Sequence, residues 1–518
     1  MMVIGPAGVR ARVSMVAVLA WLTAWSVAAA QLPQSNAPAT CSALTAPEAP
    51  KTLGGVVVRF ATAPGATPFD ALTGSAVAAR LAEALATILE SSVRSGATAR
   101  DSTAQQVTNQ DAMRILSAGD RWIITGDVTG GADMVTVHWR VFDAQAGRDV
   151  SAGRARDSLV WLPRLTGDLL GAVGRQVGAD SVALARAATS MQRRATTSRQ
   201  AMDAYLSGMF ALTTFGARSY KRAIEDFRSA LRIDAAFAEA YLGLATAQMR
   251  IVEWGDSVSA RGRAPRLVAA GDAVNRALAL DPSSERALSL LAQVHLARDE
   301  PIAAALAINA LRQRRARPGE IAWLDAELQR VHGDSLAAKR IIADAGGRIL
   351  GHVPALFLRA EFERRQGRPQ LACLALNRIL TIDPSWGPAY VMRAVVRAEL
   401  GDRRGGWADA ELAARLGRPE WGAAAAALID VSMGDAIAVR RRVRETLRVE
   451  PEATLPWLDA LLRAAVFHAV GDAQRARAAL AAMPCSDYRR RTLAGDPLLR
   501  YLRVPAECRV SRQPASTG

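Results

Sequence analysis

Gly333, Gly367, Gly401, Gly434 and Gly471 recur at separations of 34, 34, 33 and 37 residues, and each is followed directly by Asp or Arg. A turn that returns at this interval divides the chain into units of two helices. No such unit can bury its apolar face without a neighbour, so the units must stack into a superhelix with a concave side. Arrays of this kind hold partners and rarely carry chemistry.

The residues around the turns keep the same register. Ala372 and Leu376 stand five and nine residues after Gly367, the helix closes at Ile382, Asp383 and Pro384, and the next unit opens at Tyr390 with a small residue at Ala394. Tyr241, Leu244 and Ala245 open another first helix, while Ala277, Leu278, Leu280, Asp281 and Pro282 close its partner. Alanine at the crossing points lets two helices approach closely, and Pro after Asp cannot continue a helix. Tyr205, Gly208, Ala223, Phe227, Ala230 and Asp234 mark an earlier unit, with Ala235 where Pro would stand. These positions resemble the tetratricopeptide consensus. About eight repeats are expected over residues 200–484, with weaker ones near 285–317 and 457–484. Between Gln248 and Ala270 the chain has roughly a dozen residues more than such a repeat requires, including Trp254, Gly255, Gly262 and Pro265. A loop or a lengthened helix pair is expected there, either as a recognition insertion or as a tolerated surface extension.

Upstream, Arg10 and Arg12 precede a weakly apolar run from Val13 to Ala30 that ends in Ala28, Ala29, Ala30 before Gln31. This reads as an export signal over residues 1–30 with cleavage after Ala30. The alternative is an uncleaved segment acting as a membrane tether, barely long enough to span a bilayer. Residues 31–50 hold five Ala and four Pro and read as a linker. Basic residues exceed acidic ones by 16, giving a pI near 10.8, but residues 51–180 hold thirteen of each sign, so the excess lies in the helical part. Nearly every base is Arg, with Lys only at 51, 221 and 339, a skew of GC-rich coding rather than a nucleic-acid footprint. No nucleic-acid partner is expected. The runs at Arg312, Arg314, Arg315, Arg317 and Arg440, Arg441, Arg442, Arg444 read as solvated helix faces, with an anionic partner as the alternative.

Residues 51–180 have another rhythm. Gly54 to Phe60 is a β-branched run, Thr73 to Val93 has helical spacing through Val77, Leu81, Leu85, Ile88 and Leu89, and Asp111 to Ser117 reads as a short helix. Trp122 to Val128, Met134 to Phe142 and a strand from Gly147 through Val150 to Ala155 follow at short turns, an antiparallel meander. A helix from Trp161 to Val177 closes the unit, with Leu162, Leu165, Leu169, Leu170 and Val173 on one face. The expected fold class is an α/β amino-terminal domain, a mixed sheet with packed helices, followed by an all-α tetratricopeptide (TPR) superhelix. The strings VVVRF, LAEALATIL, DRWIITGDVTG and VHWRVFDAQAGRDV resemble the amino-terminal domain of TolB and its relatives. Gly126, Val128, Phe142, Asp143 and Gly147 occupy the matching turn and strand positions. The resemblance implies an envelope or signalling accessory module that binds proteins, and it transfers no catalytic residue.

Chemistry-bearing patterns are sparse. The five His, at 138, 295, 332, 352 and 468, do not pair with Cys, Asp or Glu at metal-ligand spacing, and HExxH, GxSxG, GxGxxG and GxxxxGK strings are absent. Glu361 and Glu363 point apart on a helix and cannot share a proton. No catalytic, metal or cofactor site is expected, and the chain reads as a non-enzyme. One constellation points to binding: Trp323, Glu327 and Arg330 stand 34 residues before Phe357, Glu361 and Arg364. By resemblance these offsets line the concave face, as an aromatic ladder for a protein or an extended peptide; otherwise the charges pair locally and the aromatics pack the array. Cys485 and Cys508 are expected to form a disulfide that pins a carboxy-terminal cap over residues 485–518, leaving Cys41 and Cys373 unpaired. The sequence thus reads as an exported protein-binding scaffold, with an extracytoplasmic sensory module as the alternative.

Overall fold

The computed structural model describes Cys41 and, with short interruptions, residues 55–95, 120–446, 453–483 and 496–499. The first unit is built from β1 (Gly55–Thr62), α1 (Pro68–Leu89), β2 (Val93–Ser95), β3 (Asp120–Gly130), β4 (Met134–Asp143), β5 (Arg148–Ser158) and α2 (Leu162–Gln176). The strands lie in the order β2-β1-β3-β4-β5, with β1 parallel to both neighbours and β3, β4 and β5 antiparallel. The sheet is therefore mixed. Helix α1 ends at Leu89, and Val93, expected at its end, instead opens the short strand β2. The expected helix at Asp111 to Ser117 lies outside the described residues. Val77, Leu81 and Leu85 of α1 share one core with Leu165, Leu169 and Val173 of α2 and with Val135, Val137, Trp139 and Val141 of β4. Along β4 these residues alternate with less buried ones, so period-two patterning holds the helices to one face.

A row of four residues crosses this face. Phe60, Gly126, Trp139 and Gly153 stand opposite one another on β1, β3, β4 and β5. Each ring lies over the glycine of the next strand: a Cβ on Gly126 would stand 2.5 Å from the Phe60 ring, and one on Gly153 would stand 2.6 Å from the Trp139 ring. At the β4–β5 turn, Asp143 accepts from the Gln145 amide at 2.8 Å and from Arg121 at 3.0 Å, and Gly147 adopts φ +65°. The Arg121 hydrogen bond, aided by the turn amides, holds the Asp143 carboxyl below its usual range.

Helix α3 (Ser181–Ser190) leads to the array. Sixteen helices pack as hairpins: α4 (Arg199–Thr213) with α5 (Ala217–Ile233), α6 (Ala238–Trp254) with α7 (Ala260–Leu280), α8 (Glu285–Ala297) with α9 (Pro301–Gln313), and α10 (Pro318–Val331) with α11 (Ser335–Ala345). They continue as α12 (Val353–Arg365) with α13 (Pro369–Ile382), α14 (Gly387–Glu399) with α15 (Arg403–Arg415), α16 (Pro419–Ser432) with α17 (Ala436–Thr446), and α18 (Trp457–Ala469) with α19 (Ala473–Ala481). The result is an all-α superhelix of tetratricopeptide type behind the α/β domain.

The glycine beat has a local cause. Gly333, Gly367, Gly401 and Gly471 take φ of +84°, +70°, +79° and +80°, while Gly434 lies outside the described residues. The residue after each glycine sends its amide back to end the helix, as Asp334 to the Gln329 carbonyl at 2.9 Å and Asp402 to the Arg397 carbonyl at 2.8 Å. That Asp then caps the next helix, accepting from Ala337, Gly405 and Arg475 at 2.8, 3.0 and 2.9 Å in the three Gly-Asp turns. One dipeptide thus stops one helix and starts another. Between hairpins, Asp234, Asp281 and Asp383 each accept the amide two residues on, at 2.9, 3.1 and 2.9 Å.

The superhelix closes on itself and on the α/β domain. Arg80 of α1 donates to the Tyr205 hydroxyl of α4 at 3.0 Å. The extra residues after Gln248 lengthen α6 and α7 and form a strand, β6 (Val258–Ser259), that pairs with β7 (Ala453–Thr454) before the last hairpin. Cys41 is bonded to Cys373 of α13, with Cα atoms 5.9 Å apart, and Asn377 donates to the Cys41 carbonyl at 2.9 Å. This overturns the expectation that Cys41 and Cys373 stay unpaired. They lie 332 residues apart, and only the curl of the array brings the linker to α13. The Cys485 and Cys508 pairing expected from the sequence lies outside the described residues.

Candidate functional site

Residues of the first helices α6, α8, α10 and α12 and of α1 and α3 line one common space. Between them lies a cavity of about 860 Å³. Its wall combines Trp254, Trp323, Phe357, Trp386 and Trp457 with cations such as Arg80, Arg186 and Arg317 and acids such as Glu285, Glu320 and Glu361. Both domains therefore line one half-open space.

The aromatic residues divide into two groups. Phe357 is 6% exposed and sits among Trp386, Trp457 and Trp254 at ring separations of 4.8, 6.2 and 6.3 Å. Trp254 also meets Trp386 at 5.8 Å and the fully buried Trp421 at 6.1 Å. Phe357 is thus part of a packed cluster that joins the second hairpin to the fifth through eighth. Trp323 is only half-buried, and its ring lies 5.4 Å from that of His352.

The charged residues meet across helices. Arg330 donates to Glu327 within its own helix and to Glu361 on α12, both at 3.2 Å, and Arg365 reaches Glu361 at 2.8 Å. Arg364 turns elsewhere, to Glu399 at 3.2 Å and to Asp496, which Arg365 also meets at 3.2 Å. Burial pushes the Asp496 carboxyl up, but the Arg364 and Arg365 guanidinium groups outweigh it and hold the group below its usual range. Buried charges of this kind are tolerable because each finds an opposite partner. Trp323, Glu327, Arg330, Phe357 and Glu361 all line the cavity, whereas Arg364 faces the carboxy-terminal turn at Pro497–Leu499.

Sequence patterning missed a second polar cluster. Ser289 of α8 donates to Glu320 of α10, and His352 Nε2 bonds the other Glu320 oxygen at 2.6 Å. His352 Nδ1 accepts the Ala355 amide at 3.2 Å and so caps α12. Burial opposes the Glu320 charge, yet His352, Arg317 and Ser289 hold its carboxyl down to about 2. Glu320 stands between the other two, so His352 does not bond Ser289 as a base would bond a nucleophile. The cluster is suited to holding polar groups. Trp386 had a faint signal: it stands three residues after Asp383, as buried Phe237 stands three after Asp234. Trp254 had none beyond its place in the insertion.

No family model and no curated protein matches the chain. Among solved structures it is similar to the APC/C hetero-tetramer Cut9-Hcn1, at 13% identity over 62% of this chain and 72% of that one, with a TM-score of 0.32. The human IFIT1 dimer with m7Gppp-AAAA aligns at 14% identity over 64% of this chain and 82% of that one, with a TM-score of 0.34. Yeast Tom70 aligns at 10% identity over 57% of this chain and 63% of that one, with a TM-score of 0.34. Similarities this low specify neither partner nor ligand for this chain.

Proposed function

We propose that the chain is an exported, non-catalytic protein-binding scaffold of the cell envelope, in which a TolB-like module and a tetratricopeptide superhelix share one binding cavity. The observation that carries this reading is the cavity itself. An aromatic residue at its wall, Trp323, stands beside both signs of charge, and this mixture suits an extended segment of a protein partner rather than a purely apolar or purely anionic ligand. Export is supported by the apolar run before Gln31 and by the Cys41–Cys373 bond, since such bonds persist in oxidising compartments. The alternative, a sensory module acting with a signalling partner, is favoured by one feature: Arg80 and Arg186 line the cavity from outside the array, so both domains would register an occupant.

The test is photocrosslinking in cells from position 183 on the cavity wall, with the parent, Trp323→Ala and Phe357→Ala compared for partner capture and melting. Trp323→Ala should lose capture at least tenfold while the melting temperature stays nearly unchanged. Phe357→Ala should lose stability by about 3–5 kcal/mol, as packed aromatics do. Unchanged capture in Trp323→Ala, or an absence of protein adducts, would remove the cavity as the partner site.

A further inference from the structure

We propose that the outer edge of β5 is a strand-addition surface that takes an extended acidic segment of a partner protein. This goes beyond the cavity, whose wall includes no residue of β5.

Among the described residues, β5 is the last strand of the sheet, runs for 11 residues and is paired along one edge only, with β4. Every second backbone amide and carbonyl of its other edge points away from β4, which is the template an added strand requires. Proteins usually blunt such an edge with a proline, a bulge, a short strand or charged side chains. β5 has no proline, its one register irregularity lies opposite its first residues at Val141/Phe142, and Ala152, Gly153 and Arg154 are exposed.

The charges decide the occupant. Asp149 and Asp157 are engaged by Arg140 at 3.5 Å and by Arg164 at 2.7 Å. Arg148, Arg154 and Arg156 are exposed and have no ion pair among the described residues, so the edge presents free positive charge. Two copies of β5 set edge to edge would bring six arginines to one seam, and like charges across strands disfavour that pairing. An acidic strand meets the opposite situation. The other face adds a second requirement: Ser151, Gly153 and Ala155 are small and stand on the side of Val141, Trp139 and Val137, with the Trp139 ring over Gly153. An added strand would rest small or β-branched residues beside that ring. The fitting segment therefore alternates Asp or Glu with Val, Thr or a similar residue.

The experiment uses the full chain and a labelled ten-residue peptide alternating Glu with Val and Thr, with a Lys version of the same peptide as control. Binding is read by anisotropy at physiological salt, and its place by amide hydrogen exchange. The Glu peptide should bind saturably and protect amides of residues 151–157. Replacing Arg148, Arg154 and Arg156 together by Glu should weaken the Glu peptide at least tenfold and favour the Lys peptide, with circular dichroism unchanged. No saturable binding up to about 1 mM would overturn the proposal. So would protection that falls on α6 to α12 instead, or a dimer that protects β5 without peptide. Trp323→Ala should leave peptide binding intact, so the edge and the cavity fail or succeed separately.

Discussion

Gly126 shows how far a single residue is constrained by its neighbours across a sheet. A methyl group there would stand 2.0 Å from the His138 carbonyl oxygen and 2.5 Å from the Phe60 ring, and the first of these is backbone that cannot turn aside. Gly126→Ala is expected to destabilise by about 3 kcal/mol, the upper part of the usual overpacking range. Gly153→Ala meets only the Trp139 side chain at 2.6 Å and should cost less. Denaturant unfolding of the two variants checks the order. Glu320 gives a prediction about acid. Its carboxyl is held at about 2 against an ordinary value of 4.5, so it contributes stability above its unfolded value that is lost as pH falls from there toward the folded value. Glu320→Gln should therefore flatten the decline of stability between pH 5 and pH 2. A variant that declines as steeply as the parent would show that the His352 contact is absent in solution.

At the scale of elements, the turn between paired helices is written as Gly-Asp because two capping tasks fall on adjacent residues. Only glycine takes the positive φ of Gly401 without cost, and Asp402 then holds the Gly405 amide. Gly401→Ala should destabilise by about 1 kcal/mol through the left-handed backbone alone, since nothing lies within 4 Å of an added Cβ there. A neutral result in thermal unfolding would mean that the turn relaxes. These helix ends were legible because capping is local. Val93 was not: its apolar spacing continues the pattern of α1, yet parallel pairing with Val56 makes it a strand residue. Likewise the residues after Gln248 looked like a surface extension or a recognition loop, and their pairing with Ala453–Thr454 makes them a brace across the array.

For the whole molecule, the bond between Cys41 and Cys373 ties the linker to the fifth hairpin and encloses the α/β domain within a covalent loop. Peptide mapping without reductant should recover the 41–373 pair. Cys373→Ala should lower stability by up to about 6 kcal/mol in the chain-entropy account of a loop this long. Recovery of free thiols at both positions would remove the bond, and with it the strongest support for an oxidising compartment. Amino-terminal sequencing offers the independent check: export with cleavage predicts a first residue of Gln31, whereas Met1 in a membrane fraction would favour the tether.

Periodicity near 34, the alternation along β4 and the Gly-Asp turns determined the two-part architecture before any coordinates, because helix ends, strand faces and caps depend on residues a few positions apart. What partners each residue has at a distance was decided only by the tertiary structure. The repeat of Trp323, Glu327 and Arg330 at Phe357, Glu361 and Arg364 marks three equivalent positions on two helices, yet one aromatic is packed and the other lies half-open at the cavity wall. Likewise, one arginine completes a ladder between repeats while the other binds a carboxylate 132 residues further on. The reason is the curvature of the array: it brings the insertion to Ala453–Thr454, Cys41 to α13 and the carboxy-terminal turn to α12, and no spacing within a repeat encodes which of them arrives where.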